Sequence, residues 1–402
     1  WGEHGKGVRG AYLRDWIGAD AYAALQGVKA AFDPTERFNP GKLVGITRPV
    51  MAIDAPPFRA FNALPGDALE KAFRCNGNAQ CLSYAATTPM CPSFKATADL
   101  RHSPKGRADA LRDWHRARAE GAPDLPAREA DVIAVLDSCL GCKACASNCP
   151  VQVDIPAMRA AFLADYHSRH ARLLADRLVL AAERLSPWVQ RAAPLLAPVW
   201  PVLSRVGAAL TASVDLPGRL ARGMPAALHP RDLDRPLPPG TVLLVQDWFT
   251  ALFDAPAQRD VIAGLAALGY RPRLLAMRPA GKAAHAAGDR AGFRRMAGAL
   301  ADLLQRAAAT GAPLVVFEPA FGMMLRQEYH REGIALPPVR MVQEFLADEA
   351  RSRAFPQART PGAARLLSHC TEATANPQSP RQWAQVFAAI GLSLETPAPG
   401  CC

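Results

Sequence analysis

The chain has 402 residues, of which 50% are hydrophobic and 21% charged, with a net charge of +11. That length is too great for one small core, so two to four domains are expected, and the composition excludes a disordered or fibrous chain. The positive charge is spread along the chain as Arg, without a basic block or a nucleic-acid motif, so no nucleic-acid partner is expected.

In chain order, the sequence opens at Trp1 with no initiator Met and ends on Cys401-Cys402, and it is read as an interior piece of a longer polypeptide. Residues 1–60 begin with a Gly-rich turn, WGEHGKGVRG. An amphipathic helix is expected over Ala19–Phe32, followed by turns at Asp33-Pro34 and Asn39-Pro40-Gly41. Residues 65–170 carry seven of the ten cysteines on loops and short helices. From about 155 to 235 the chain is expected to be helical with Pro and Arg interruptions, so that a helical segment over 171–236 closes on the linker HPRDLDRPLPPG. The longest charge-free run here, Ala192–Ser204, has 13 residues and contains Pro194, Pro198 and Pro201. A spanning helix needs about 20 apolar residues, so no membrane span is expected and the run reads as a buried or interfacial helix.

From 237 to 402 the pattern becomes α/β. Strands at Val242–Val245, Arg273–Ala276, Leu314–Phe317 and Leu366-Leu367 alternate with helices, one of them placing Phe293, Met296, Leu300 and Leu303 on a single face. Alternation of this kind implies a mostly parallel sheet. A weak repeat is visible between Leu243–Gly281 and Leu366–Gly400, each reading strand, loop, helix, strand and a terminal Gly. The fold class is therefore a multidomain α+β and α/β chain: a helical part that carries most of the cysteines, then an α/β part with a mostly parallel sheet.

The cysteines carry the chemistry. They fall into three groups, Cys75, Cys81 and Cys91; Cys139, Cys142, Cys145 and Cys149; and Cys370, Cys401 and Cys402. Clustering in a large chain with no export signal favours metal ligation over disulfides. CLGCKACASNCP is C-x2-C-x2-C-x3-C-P, the spacing that wraps a 4Fe–4S cubane, with Gly141 letting the backbone pass close to the cluster. In two-cluster ferredoxins the fourth Cys of this run ligates the other cluster. CNGNAQC followed by MCP is an incomplete second copy: Cys75 and Cys81 match the first and third ligands, Asn78 stands at the second, and Cys91-Pro92 matches the Cys-Pro element. Crossed ligation gives one cluster Cys91, Cys139, Cys142 and Cys145, and leaves the other with Cys75, Cys81 and Cys149. Three outcomes are open for that second site: a 3Fe–4S cluster, a 4Fe–4S cluster with an open iron bound by water or Asn78, or no cluster at all.

The third group, Cys370 with Cys401-Cys402, lies where parallel strands deliver side chains to one edge of a sheet, which fits half of a cysteine-rich redox or cluster site. His369 either tunes the neighbouring thiol or makes a structural hydrogen bond.

WGEHGKGVRG with FDPTERFNPGK resembles the end of the FAD-linked oxidase C-terminal domain, shared by dehydrogenases of D-lactate, glycolate and D-2-hydroxyglutarate. RCNGNAQC, TPMCPSF, RHSPKGRA, the full cysteine motif and SHCTEAT…GCC resemble the long bacterial form, in which that flavoenzyme is fused to a ferredoxin-like domain and a cysteine-rich domain. The resemblance implies an FAD- and iron–sulfur-dependent 2-hydroxy acid dehydrogenase of the type that turns D-2-hydroxyglutarate into 2-oxoglutarate, with most of the FAD site upstream of Trp1. Glu3 would be one ligand of a divalent metal such as zinc, and His4 would take the hydroxyl proton of the substrate. Electrons would leave to the quinone pool or an electron carrier, from a cytoplasmic protein or one held at the periphery of the inner membrane. The alternative is a non-catalytic iron–sulfur subunit, like those of glycolate oxidase and glycerol-3-phosphate dehydrogenase complexes. In the cysteine-rich part the chain departs from the family pattern, since one Cys…Cys-Cys half is present and the sequence stops at Cys402.

Overall fold

The computed structural model describes residues 7–45, 69–85, 87–211, 217–221, 225–360 and 362–397. The chain divides into two units, Trp1–Ala63 and Leu64–Cys402. In the first, a 3₁₀ turn leads into α1 (Leu13–Ile17) and α2 (Ala19–Phe32), the latter over the span that periodicity indicates. The expected Asp33-Pro34 turn is closed by the Asp33 carboxylate, which accepts the backbone N–H of Arg37 at 2.8 Å and of Phe38 at 2.9 Å.

In the second unit a helical layer comes first: α3 (Glu70–Phe73), α4 (Pro92–Thr97), α5 (Pro104–Glu120), α6 (Leu125–Asp137), α7 (Ala144–Asn148) and α8 (Ile155–Arg169). Ser103 starts α5, its hydroxyl accepting the Gly106 N–H at 3.0 Å with Pro104 in the first turn, and Gly121 in the left-handed conformation ends it. α5, α6 and α8 enclose Leu111, Trp114, Val132, Leu136, Met158 and Phe162, and Trp114 meets Phe162 edge-on at 4.8 Å. Each such side chain contributes about 1.5–3 kcal/mol by leaving water. The thiols of Cys91 and Cys145 are part of the same core, so the cysteine loops are fastened to its packing.

α9 (Leu174–Leu196) and α10 (Trp200–Thr211) follow. α9 is oriented by Glu183, whose buried carboxylate accepts the backbone N–H groups of Gly281 and Lys282 at 2.8 Å and of Ala283 at 2.9 Å. These begin α13 (Lys282–Ala286), so a side chain from one helix caps another about a hundred residues on.

The α/β part runs β1 (Thr241–Leu244), α11 (Trp248–Phe253), α12 (Ala255–Ala267), β2 (Arg271–Leu274), α13, α14 (Arg290–Ala308), β3 (Leu314–Val316), α15 (Pro319–Arg331), β4 (Val339–Met341) and α16 (Val342–Glu349). The four strands are parallel in the order β2-β1-β3-β4. Leu243, Leu314 and Val316 face α14 and α15, while Val242, Leu244 and Val315 face α12 and α16. Helices on both faces are why these strands read as continuous apolar runs. The expected helix face of Phe293, Met296, Leu300 and Leu303 is the one α14 turns toward the core.

Two strands are displaced from their expected places, β2 starting two residues before the expected Arg273. Leu366-Leu367 lies just beyond β5 (Ala363–Arg365), and Leu367 is 83% exposed. β5 pairs in parallel with β6 (Ser393–Glu395) in a separate two-stranded sheet, in which Arg365 stands opposite Glu395 and bonds it at 2.8 Å. The cross-strand contact here is an exposed ion pair rather than an apolar face.

α17 (Cys370–Ala375) and α18 (Ser379–Ala389) connect β5 to β6, so β1–α11–α12–β2 and β5–α17–α18–β6 follow the same plan. Each short helix has a side-chain cap: Asp247 accepts the Thr250 N–H at 3.0 Å, and His369 Nδ1 accepts the Thr371 N–H at 3.2 Å. Cys370 thus occupies the first-turn position that Trp248 holds in the first copy, and the ring of His369 serves the backbone.

Candidate iron–sulfur centres

Two cysteine loops with the same backbone shape build the site. Gly77 and Ala79 have φ of 72° and 62°, and Gly141 and Lys143, at the equivalent positions, have φ of 67° and 60°. A left-handed residue two and four places after the first Cys turns the chain around a central object, and glycine takes the first of these without strain. This correspondence puts Asn78 in the place of Cys142. The Asn78 side chain is engaged locally, its Oδ1 accepting the Gln80 N–H at 3.1 Å and its Nδ2 donating to Asn76 Oδ1 at 2.8 Å.

The cysteines line two small pockets. One is lined by Cys91, Cys139, Cys142 and Cys145. The other is lined by Cys75, Cys81 and Cys149 with Asn78. Met90 and Pro104 line both, which places the cavities back to back. Among the described residues no three Cys, His, Asp or Glu side chains converge closely enough to share one metal ion. Thiols set around a cavity, rather than about a point, suit a polynuclear cluster better than tetrahedral zinc.

Burial pushes the Cys142 thiol up to about 12, with the charges of Cys91, Cys370 and Cys139 adding to the rise. Burial also raises Cys145 well above an ordinary thiol, and raises Cys81, where Cys75 and Cys149 add to the effect. Such thiols give up their protons to a cation placed among them, as ligation of iron requires. The charges that act on Cys81 and on Cys142 divide the cysteines as the cavities do.

Cys370 acts on Cys142 because α17 packs against α7. The first cysteine of the α/β domain therefore stands beside the four-cysteine cavity. Cys401 and Cys402, expected to share a site with it, lie outside the described residues, as do Glu3 and His4.

Arg107 is a site residue that motif reading does not single out. It lines the four-cysteine cavity, is 1% exposed, and its Nη1 lies 3.6 Å from Cys91 Sγ. The available signal was its register on α5, where it continues the buried stripe of Leu111 and Trp114.

Comparison with known proteins agrees with this geometry. Residues 1–43 match the C-terminal domain of FAD linked oxidases, and residues 71–153 match the 4Fe-4S dicluster domain. Over its whole length the chain is 35% identical to the D-2-hydroxyglutarate dehydrogenases of Escherichia coli and Pseudomonas putida, and 31% identical to that of Haemophilus influenzae. It spans 45% of the length of each of these relatives. No solved structure shows significant similarity to it. The chain thus joins a match to the end of the FAD-linked oxidase C-terminal domain to a match to the 4Fe–4S dicluster domain.

Proposed function

We propose that this chain is the electron-carrying part of a 2-hydroxy acid dehydrogenase that oxidises D-2-hydroxyglutarate to 2-oxoglutarate. The observation that carries the reading is the pair of back-to-back thiol-lined cavities in a chain that begins in an FAD-linked oxidase domain. Bound flavin and clusters supply two-electron chemistry at the substrate and one-electron steps toward the acceptor. Cys91, Cys139, Cys142 and Cys145 hold one cluster, and Cys75, Cys81 and Cys149 hold the other. His4 receives the hydroxyl proton of the substrate, and Glu3 contributes one ligand to a divalent metal that holds the substrate. The place of Cys370 beside Cys142 supports a route from the four-cysteine cluster to a redox site formed with Cys401 and Cys402.

The test is anaerobic mixing of the protein, expressed from its complete reading frame, with D-2-hydroxyglutarate. Cluster EPR signals should appear with the substrate and also with dithionite. His4→Ala should abolish the first and leave the second. Cluster reduction by the substrate that survives in His4→Ala would remove His4 from the mechanism. Absence of cluster reduction by the substrate in the unaltered protein would favour the reading as a non-catalytic iron–sulfur subunit.

For the acceptor we infer the quinone pool, reached from the surface of an anionic bilayer. No helix among the described residues is long and apolar enough to cross a membrane. α9 instead turns Leu174, Leu185, Trp188 and Leu195 outward, at 57%, 53%, 66% and 82% exposure. Arg177 and Arg191 lie along the edge of that stripe, with the Arg191 guanidinium 5.3 Å from the Trp188 ring centre, while Arg184 between them is paired with Asp289. An apolar stripe with Trp and flanking Arg suits the headgroup region. The protein should sediment with vesicles containing phosphatidylglycerol but not with phosphatidylcholine alone, and Leu195→Glu should release it. A soluble electron carrier would be the acceptor if neither lipid captured it.

A further inference from the structure

Arg107 is a buried cation with no carboxylate partner among the described residues. Its Nε donates to the Val135 carbonyl at 2.8 Å, and its Nη2 donates to the hydroxyls of Ser93 and Ser138, both at 2.8 Å. These three acceptors are neutral. The remaining contact is Nη1 to Cys91 Sγ, on the wall of the four-cysteine cavity. Taking a guanidinium out of water is costly, and neutral hydrogen bonds offset that cost only in part. A cation held this way calls for an anion, and the only candidate it touches among the described residues is the Cys91 sulfur, a thiolate when it ligates iron. A cubane bound by four thiolates is an anion, and becomes more so on reduction.

We infer that Arg107 is the counter-charge of the cluster on Cys91, Cys139, Cys142 and Cys145, and that it raises that cluster's reduction potential. The inference rests on the ligand set proposed above. A fixed positive charge beside a redox centre favours the reduced, more negative form, and the dry surroundings leave the interaction poorly screened.

The second cavity is treated differently. Lys105, two residues earlier on α5, lines the three-cysteine cavity, but its Nζ is paired with Asp109 at 2.7 Å and its side chain is 40% exposed. Its charge is partly offset by Asp109, a carboxylate shared with Arg112, and is screened by water. That site has instead one thiolate fewer, which also favours the reduced form. The first turn of α5, with Pro104 touching both cavities, thus stands between two centres raised by different means: a buried guanidinium for one, a missing thiolate for the other. Arg107 narrows the potential gap that the missing thiolate would otherwise open.

The test is an EPR-monitored redox titration of the protein with both clusters assembled. In Arg107→Gln the midpoint of the signal that Cys142→Ser abolishes should shift to lower potential, while the other midpoint stays in place. Arg107→Lys, which keeps the charge, should restore most of the shift. Ser138→Ala, which removes a hydrogen-bond partner and leaves the charge, should move the midpoint little. An Arg107→Gln protein with intact clusters and unchanged midpoints overturns the inference. If Arg107→Gln does not assemble the cluster, Arg107→Lys decides: retention of the cluster supports the charge role, and loss in both overturns it in favour of a requirement for the hydrogen-bonding fork. Failure of Cys142→Ser to alter either signal would instead overturn the ligand assignment.

Discussion

Lys143, the residue between Cys142 and Ala144 in the cluster loop, is ion-paired with the buried carboxylate of Glu328 on α15, 185 residues away. Its Nζ also donates to Gln327 Oε1 at 3.2 Å. A second clasp lies alongside, where Arg331 meets Asp154, the residue that caps α8, at 2.5 Å. The loop that wraps the four-cysteine cavity is thereby held to the α/β domain by two pairs whose acidic partners are 3% and 1% exposed.

Removing one member of the first pair should be costly. Glu328→Ala leaves the Lys143 ammonium stranded at the domain contact, and should destabilise the protein by about 3–5 kcal/mol, the usual effect of orphaning one partner of a buried pair. Replacing both residues by Met should cost less than the sum of the two single changes, because no charge is then left unpaired. Urea denaturation of the single and double variants measures this. Additive losses would mean that the pair is not coupled.

Cys142→Ser tests the four-cysteine site directly. Loss of that thiolate should remove or strongly alter one EPR signal of the reduced protein and lower the iron content by the iron of one cluster. The other signal should persist, since Cys75, Cys81 and Cys149 line a separate cavity. An unchanged spectrum would exclude Cys142 as a ligand.

Glu344 gives the protein a dependence on pH on the acid side. Burial alone would raise its carboxyl, but the Arg326 guanidinium, the Met341 N–H and the Asn376 amide outweigh that and hold it below the ordinary 4.5. A carboxyl with a lowered folded-state pKa adds stability that is fully present above the unfolded value and is lost as pH falls through the folded one. Thermal midpoints should therefore fall on acidification below about 4.5, and Glu344→Gln should flatten that part of the curve. Because Asn376 follows α17 directly, the same variant should loosen the helix that carries Cys370.

How much of this was legible in the sequence depends on the range of the interaction. The C-x2-C-x2-C-x3-C-P spacing and the Cys-Pro element are local, and they sort the cysteines into the two groups that the cavities display. Alternating strands and helices are also local signals, and gave the parallel sheet. Arg107 was hidden because RHSPKGRADALRDW reads as a charged, solvated helix start. Its burial depends on Ser93 and Ser138, which reach it from 14 and 31 residues away. The Lys143–Glu328 clasp and the approach of Cys370 to Cys142 depend on domain packing, which no window of sequence contains. β5 was misplaced for a related reason: Ala363-Ala364-Arg365 has no strand-forming side chain, and its partner strand β6 lies 30 positions on.

Asn78 offers the sharpest test of the two-cavity arrangement. The matching left-handed residues of the two loops set it at the position of Cys142, yet its amide folds the loop by bonding Asn76 and Gln80. A site served by Cys75, Cys81 and Cys149 alone carries one negative charge fewer around its iron, and should have the higher potential of the two, as when His replaces Cys in Rieske centres. A 3Fe–4S centre there would show an EPR signal in the oxidised protein, which a 4Fe–4S centre in its usual oxidised state lacks. Asn78→Cys should supply the fourth thiolate, abolish any such signal, and lower the midpoint of that site while leaving its neighbour in place. Asn78 lines the pocket of Cys75, Cys81 and Cys149, so a cysteine at 78 would add its thiol to that set. If spectrum and titration are both unchanged in Asn78→Cys, the side chain at 78 does not reach the iron, and the likeness of the two loops ends at the backbone.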